Sequence, residues 1–115
     1  MITIWHNPRC SKSRASLEVI EQSNIEFEII KYLEESISIS SIEDILRKLD
    51  ISARELMRTK ENLYLELNVE SIVEEITLIK IMSENPKLIE RPIIIKGDKA
   101  VIGRPIENTI NLLKS

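Results

Sequence analysis

Residues 2–14, ITIWHNPRCSKSR, connect a short apolar run to the start of a helix through a polar turn that ends at Cys10. The apolar run 2–5 predicts a strand, and the pattern over residues 11–22 predicts a helix. Cys10 is the only cysteine of the chain, and its neighbours are polar. Because a structural cysteine usually lies in an apolar pocket, this setting favours a reactive thiol over a small buried hydrophobe.

Positive charge surrounds this cysteine in the sequence, in the form of Arg9, Lys12 and Arg14. A free thiol has a pKa of about 8.5, and a helix N-terminus with nearby cations commonly lowers the pKa by about two units. The unpaired N–H groups of a helix that begins at Ser11 also suit an oxyanion. We therefore predict a thiolate nucleophile at Cys10, with Arg9 and Arg14 supplying background charge and surface contacts rather than binding substrate.

The composition limits the possible classes of protein. The chain has 115 residues, is 43% hydrophobic and carries a formal net charge of -3 at pH 7. We expect one domain over residues 1–115, able to bury about two-thirds of the surface that its unfolded chain exposes. No apolar run approaches the roughly 18 residues of a membrane span. The acidic balance argues against a general nucleic-acid binder, and one cysteine with one histidine does not predict a metal site.

The cysteine count also bears on the compartment. A single cysteine permits no internal disulfide, which fits a reducing environment. The first residues show no signal-peptide pattern. We therefore expect a cytoplasmic protein and, for so small and charged a fold, a monomer without membrane or nucleic-acid partners.

The order of predicted elements indicates the fold class. After the strand 2–5 and the helix 11–22 come a strand over residues 26–30, a helical middle, strands over residues 93–95 and 100–102, and a helix that starts at Pro105. The two late strands are joined by KGDK, which is a hairpin signal. This layout predicts an α/β thioredoxin-like fold: a four-stranded mixed sheet with flanking helices and a helical insertion between strands 2 and 3.

Local patterns predict helix starts and buried helix faces. Ser40 with Glu43, and Ser52 with Glu55, have the spacing of capping boxes. The residues expected to form the buried faces of four helices are Ala15, Leu17, Val19 and Ile20; Ile42, Ile45, Leu46 and Leu49; Ile72, Ile76 and Ile79; and Ile106, Ile110 and Leu113.

Five motifs, in one order and spread over nearly the whole chain, carry a resemblance to a known family. They are HNPRCSKSR at residues 6–14, YLE at 32–34, ARELMR at 53–58, ERPI at 90–93 and GRP at 103–105. Together they resemble the glutaredoxin-dependent arsenate reductase family, in particular its short arsenate-reductase-like members. The resemblance implies a thioredoxin-fold enzyme that reduces arsenate to arsenite.

The resemblance also implies roles for individual residues. Cys10 matches the nucleophile that attacks arsenate and forms a thioarsenate adduct. Arg58, Arg91 and Arg104 match the arginines that hold the oxyanion and the arsenic intermediates. Glutathione, as a co-substrate, would then attack the adduct, and glutaredoxin would release the product and restore the thiol. No bound cofactor is implied.

The chemistry of the residues agrees with these roles. A tetrahedral oxyanion needs planar donors that stay charged, and arginine supplies both properties. Three positions after Cys10 the chain has Ser13, so no Cys-x-x-Cys disulfide can form and external thiols must complete a catalytic cycle. Ser13 is instead expected to donate a hydrogen bond to the thiolate. Arg58, taken alone, is more typical of a solvated arginine at a helix end than of a substrate ligand.

His6 and Pro92 are expected to support the site. His6 resembles the histidine of the family in the same segment; it favours the thiolate if protonated, or is a structural hydrogen-bonding residue if neutral, and both interpretations stay open. Pro92 matches the position where thioredoxin folds place a cis-proline beside the reactive cysteine. We therefore predict a cis Arg91–Pro92 bond, although most X-Pro bonds are trans.

Other functions remain as alternatives. A regulator of the Spx type shares this fold and binds RNA polymerase, but it typically carries the Cys-x-x-Cys switch that Ser13 interrupts. A general thiol oxidoreductase, or an enzyme for another oxyanion, is not separated from an arsenate reductase by the residues. A cysteine phosphatase would need Cys-x5-Arg, and that position holds Ser16. The sequence leaves open the physiological substrate, the thiol partner and the efficiency of turnover.

Overall fold

Four short strands form one mixed sheet in the order β2-β1-β3-β4. The computed structural model describes residues 1–115. The strands are β1 (Ile2–Trp5), β2 (Phe27–Ile30), β3 (Ile93–Lys96) and β4 (Lys99–Ile102). β1 pairs parallel with β2 and antiparallel with β3, and β3 pairs antiparallel with β4. The predicted four-stranded mixed sheet is confirmed, with each strand end within one residue of its expected position.

Six α-helices accompany the sheet. They are α1 (Ser11–Gln22), α2 (Ile39–Leu49), α3 (Ala53–Leu56), α4 (Asn62–Glu66), α5 (Glu75–Glu84) and α6 (Ile106–Lys114), with 3-10 helices at Val69–Ser71 and Pro86–Leu88. The segment between β2 and β3 therefore contains helices and no strand of the sheet. None of these helices combines the length and the apolar character needed to span a bilayer.

The contacts divide the chain into two compact units. Residues 1–35 and 91–115 form the first, which holds the strands together with α1 and α6 and is called the sheet unit below. Residues 36–90 form the second, the helical unit. That residues 1–115 act as one domain stays a prediction.

The register of the sheet unit brings three strand ends to one edge. Trp5, the last residue of β1, pairs with Ile30 at the end of β2 and with Ile93 at the start of β3. Ile2 and Ile4 lie on one face of β1 because side chains alternate along a strand. The core on this face is the fully buried set Ile2, Ile4, Ile20 and Ile94 with Leu112. The chain leaves β1 at the shared edge and turns toward Cys10.

The buried faces of α1 and α6 differ from the prediction. Ala15 is exposed, and the fully buried residues of α1 include Ser13 and Ser16. In α6 the buried residues are Thr109 and Leu112, whereas the expected residues Ile106, Ile110 and Leu113 are only half-buried. The reason is a polar contact between the two helices: the Ser16 and Thr109 hydroxyl oxygens are 2.7 Å apart. A buried hydroxyl is tolerated when it has a partner.

In the helical unit, α2 and α3 both pack against α5. The capping box of Ser52 and Glu55 is confirmed at the start of α3. The one predicted at Ser40 is wrong, because Ser38 caps α2 by accepting a hydrogen bond from the Ser41 N–H at 3.1 Å. The helix therefore begins two residues earlier than that box would place it.

The predicted buried face of α5 is also wrong in part. The helix begins at Glu75, so Ile72 precedes it, and Ile76 is 54% exposed. The buried residues are Leu78, Ile79 and Met82. Apolar residues surround much of this helix, so their spacing alone does not single out the face that packs.

Candidate active site

Cys10 lies at the N-cap of α1, where the polar turn after β1 meets the helix. Its N–H donates to the Asn7 carbonyl oxygen at 3.0 Å, and its own carbonyl accepts from the Arg14 N–H at 3.0 Å. The extended backbone of Cys10 (φ -96°, ψ 122°) leaves the first helical N–H groups without carbonyl partners. The side chain is 8% exposed. The turn therefore fixes the thiol against the positive end of the helix.

Two of the predicted arginines contact this thiol. The Arg91 side chain hydrogen-bonds the Cys10 sulfur. Arg104 donates from Nη2 to Sγ of Cys10 at 3.5 Å and from Nε to the Arg91 carbonyl oxygen at 2.8 Å. The structure therefore brings Cys10, Arg91 and Arg104 together, and the role of the two arginines toward an oxyanion stays a prediction.

The segments that carry these arginines are held by backbone contacts. The predicted cis bond at Arg91–Pro92 is confirmed, and Arg104–Pro105 is also cis, which the sequence analysis did not anticipate. The N–H of Gly103 donates to the Pro92 carbonyl oxygen at 2.9 Å. This hydrogen bond joins the residue after Arg91 to the residue before Arg104.

Asn108 is a positioning residue that the sequence analysis missed. Its Nδ2 donates to the carbonyl oxygens of Ile102 at 3.1 Å and Arg104 at 3.0 Å. The side chain thereby fastens the loop before α6 to the first turn of the helix. An asparagine three residues after Arg-Pro gives no signal of this contact by itself.

The environment lowers the pKa of the Cys10 thiol. Burial acts to raise the pKa, but the Arg91 hydrogen bond, the N–H groups of Ser13 and Lys12 and the Arg91 charge outweigh burial and bring the value to about 7. The predicted direction of the shift thus agrees with the geometry. A substantial fraction of the thiol is ionised at neutral pH.

We expect alkylation of Cys10 by iodoacetamide to follow a titration centred near pH 7. Only the thiolate reacts, so the rate should fall below this pH and reach a plateau above it. Arg91→Ala should move the midpoint to higher pH, because it removes a hydrogen bond and a positive charge from the sulfur. Arg47→Ala, which changes an exposed arginine of α2, is the control and should leave the midpoint in place. A midpoint at the ordinary thiol value in the native chain would contradict the assignment.

Ser13 supports the thiol differently from the expectation. Its hydroxyl oxygen accepts from the Asn7 N–H at 3.0 Å and lies 2.6 Å from Nδ1 of His6. The hydrogen bond to Cys10 comes instead from the Ser13 backbone N–H. The hydroxyl therefore ties α1 to the turn after β1, and the helix backbone serves the sulfur.

His6 fits the structural interpretation. The side chain is 5% exposed and is held by Ser13. Burial lowers the pKa of His6, and the charges of Lys31 and Arg14 lower it further against an opposing effect of Glu21. The imidazole is therefore neutral at neutral pH and contributes position rather than charge.

The remaining cations of the motif, Arg9, Lys12 and Arg14, lie at the surface. Ser11 is exposed as well, and the N–H groups that contact the sulfur are those of Lys12 and Ser13. The Arg14 side chain donates to the Pro8 carbonyl oxygen at 3.0 Å.

No group of three or more His, Cys, Asp or Glu side chains is arranged to hold a metal ion.

Arg58 belongs to the helical unit. Its guanidinium pairs with Glu61 at 2.6 Å and with Glu90 at 3.8 Å, and its N–H donates to the Leu88 carbonyl oxygen at 2.7 Å. The side chain is partly exposed. These contacts fix the arginine within its own unit, and its role toward the oxyanion stays a prediction.

Known proteins with similar sequences identify the family of this chain. The family model described as ArsC family matches residues 5–111. An arsenate reductase of Neisseria meningitidis is 44% identical over 109 residues, which cover 93% of this chain and 93% of that protein. An uncharacterised Escherichia coli protein, YfgD, is 46% identical over 114 residues, covering 97% of this chain and 96% of the relative.

A solved structure agrees with these sequence matches. The arsenate reductase from Vibrio cholerae superposes with a TM-score of 0.92 at 42% sequence identity, covering 96% of this chain and 95% of that one. The thioredoxin-like fold and the resemblance inferred from the five motifs are thereby confirmed at the level of the family. With the family match spanning the thiol and all three matched arginines, the chain belongs to the ArsC family.

Proposed function

We propose that the chain is an arsenate reductase that takes its electrons from glutathione and glutaredoxin. The observation that carries the proposal is a thiol with a lowered pKa in contact with the guanidinium groups of Arg91 and Arg104. The arsenate reductases among its relatives support arsenate as the substrate. The single cysteine supports the dependence on external thiols.

The first step joins sulfur to arsenic. Guanidinium groups neutralise the oxyanion and allow it to approach a thiolate despite their like charges. The Cys10 thiolate attacks arsenic, an S–As bond forms, and one As–OH bond breaks. The departing hydroxide takes up a proton and leaves as water. Arsenic keeps its oxidation state in this step, so the product is a thioarsenate adduct.

The second stage supplies two electrons. Reduction of arsenic from the pentavalent to the trivalent state is balanced by oxidation of two thiols to one disulfide. Since Cys10 is the only sulfur nucleophile and must be restored, both thiols come from outside. One arsenate and two thiols thus yield one arsenite, one disulfide and one water. Glutathione attacks the adduct, and glutaredoxin restores the thiol. The need for these reduced thiols supports a place in the reducing cytoplasm, and a monomer remains part of the proposal.

The test is arsenate-dependent oxidation of NADPH in an assay coupled through glutathione, glutaredoxin and glutathione reductase. The native chain should oxidise one NADPH for each arsenate reduced, and omission of glutaredoxin should stop the cycle. If the native chain shows no arsenate-dependent rate, arsenate is not its substrate. If the rate is unchanged without glutaredoxin, glutaredoxin is not its partner.

Arg58→Ala tests the arginine of the helical unit. We expect kcat/KM for arsenate to fall by about 10- to 100-fold, the effect of losing one charge-assisted hydrogen bond to the oxyanion. Arg58→Lys should restore little, because an ammonium lacks the planar fork of donors. The control is Arg47→Ala, which removes a more exposed arginine of the same unit. Equal, small effects of Arg58→Ala and Arg47→Ala would show that Arg58 does not bind arsenate.

A further inference from the structure

A cavity of about 350 Å³ lies in the sheet unit beside the turn that carries Cys10. Its walls come from two loops, one after β1 with His6, Pro8 and Arg9, and one after β2 with Lys31, Leu33 and Glu34. The His6 N–H joins the end of one strand to the other by donating to the Ile30 carbonyl oxygen at 2.8 Å. The cavity therefore occupies the carboxyl edge of two parallel strands, a common position for ligands in α/β sheets.

The cavity and the thiol share one turn of chain. Arg9 lines the cavity and directly precedes Cys10, and consecutive Cα atoms are about 3.8 Å apart. Asn7, also in the wall, accepts the hydrogen bond from the Cys10 N–H at 3.0 Å. A small molecule held here would contact the turn that leads directly to Cys10, the residue whose adduct must be reduced.

The charges of the walls suit a particular ligand. Arg9 and Lys31 are exposed cations, Glu34 is an exposed carboxylate, and Leu33 adds an apolar surface that is 43% exposed. Two cations and one carboxylate complement a molecule with two carboxylates and one ammonium group. The volume lies within the range of small-molecule pockets, about 300–1,000 Å³.

We infer that this cavity binds the reducing co-substrate, a short peptide thiol with a carboxylate at each end and one ammonium group, such as glutathione. The inference rests on the proposed function for the need of an external thiol, and it adds where that thiol binds and which side chains select it. Arg9 and Lys31 hold the carboxylates, Glu34 holds the ammonium, and the peptide crosses Leu33 toward Cys10.

A reaction that needs no arsenate tests the inference. The Cys10 thiolate attacks one sulfur of a disulfide, a new S–S bond joins Cys10 to one half, and the other half leaves as a thiolate. We would measure the rate with oxidised glutathione and with bis(2-hydroxyethyl) disulfide, which is uncharged, by mass spectrometry of the modified chain. A change in the thiolate fraction of Cys10 alters both rates by the same factor, so it does not affect their ratio.

The expected result is a specific loss of preference for the glutathione disulfide. Lys31→Glu should lower the rate ratio about tenfold, the effect of one charge-assisted contact. Glu34→Gln should also lower it, although this change makes the cavity more positive and would raise the ratio if long-range attraction were the cause. Lys99→Glu is the control for net charge, because Lys99 pairs with Lys96 at the end of the sheet opposite Trp5.

Two outcomes would overturn the inference: an unchanged ratio in Lys31→Glu, or a ratio that rises in Glu34→Gln. An equal fall in Lys99→Glu would likewise show that net charge, and not the cavity, selects the disulfide. If the chain shows the expected preference but does not reduce arsenate, the glutathione site is supported and arsenate is not the substrate. If the chain reduces arsenate but shows no preference, arsenate is supported as the substrate and the proposed glutathione site is wrong.

Discussion

We expect the Cys10→Ser variant to lose arsenate-dependent NADPH oxidation completely, down to the background of the coupling enzymes. A serine hydroxyl does not ionise near neutral pH, so neither the helix N-terminus nor Arg91 can convert it into a comparable nucleophile. The chain holds no second cysteine that could replace it. The measurement is the coupled assay with native and variant chains at equal concentration.

The same variant should keep its fold, which separates chemistry from stability. Serine differs from cysteine by one atom, and the backbone hydrogen bonds of residue 10 to Asn7 and Arg14 do not involve the side chain. Circular dichroism and the urea midpoint should therefore stay close to those of the native chain. An arsenate-dependent rate in folded Cys10→Ser would show that the nucleophile lies elsewhere.

The second large effect concerns Gly103, where we expect alanine to lower the free energy of unfolding by about 3 kcal/mol. An added Cβ would lie 2.7 Å from the Ser16 Oγ, 2.8 Å from the Pro92 Cγ and 2.8 Å from the Thr109 Oγ1. Ser16 and Thr109 are fully buried and bonded to each other, so moving either hydroxyl leaves a buried polar group without its partner. Urea denaturation of the native and variant chains measures the loss.

Gly97 provides the matched control, since the chain has only two glycines. It lies in the β3–β4 turn with φ +60°, and an added Cβ there would meet nothing within 4 Å. Gly97→Ala should therefore cost only the backbone penalty of the left-handed region, about 1 kcal/mol. A cost for Gly103→Ala no greater than that of Gly97→Ala would contradict the packing argument. Activity should follow the same order, because Gly103 adjoins Arg104.

The sequence predicted the features that depend on local order. The bounds of α1, the pairing of the hairpin strands and the capping box at Ser52 follow from patterns within a few residues, and the structure agrees. The serines at the start of α2 show the limit of prediction from local spacing. Ser38, Ser40 and Ser41 lie within four residues, and the spacing to Glu43 selected the wrong one.

Contacts between distant residues were beyond such patterns. The periodicity of α1 favoured Ala15, yet Ser16 is buried because Thr109, 93 residues away, supplies its hydrogen-bond partner. Likewise, Ser13 was assigned to the thiolate because the sequence does not reveal that its hydroxyl meets His6. The motif around residues 103–105 contributed to the family resemblance, but the steric need for Gly103 emerged only when Pro92, Ser16 and Thr109 could be placed around it.

The contact between Arg104 and the Cys10 sulfur joins residues separated by 94 positions. During synthesis, Cys10 is therefore translated long before Arg104, whose guanidinium contacts it in the folded chain. A nascent chain should carry a less reactive sulfhydryl until translation has supplied Arg91, whose hydrogen bond and charge lower the pKa of the thiol in the folded chain. The thiol should therefore reach its full reactivity only when the sheet is completed, because Arg91 lies just before β3.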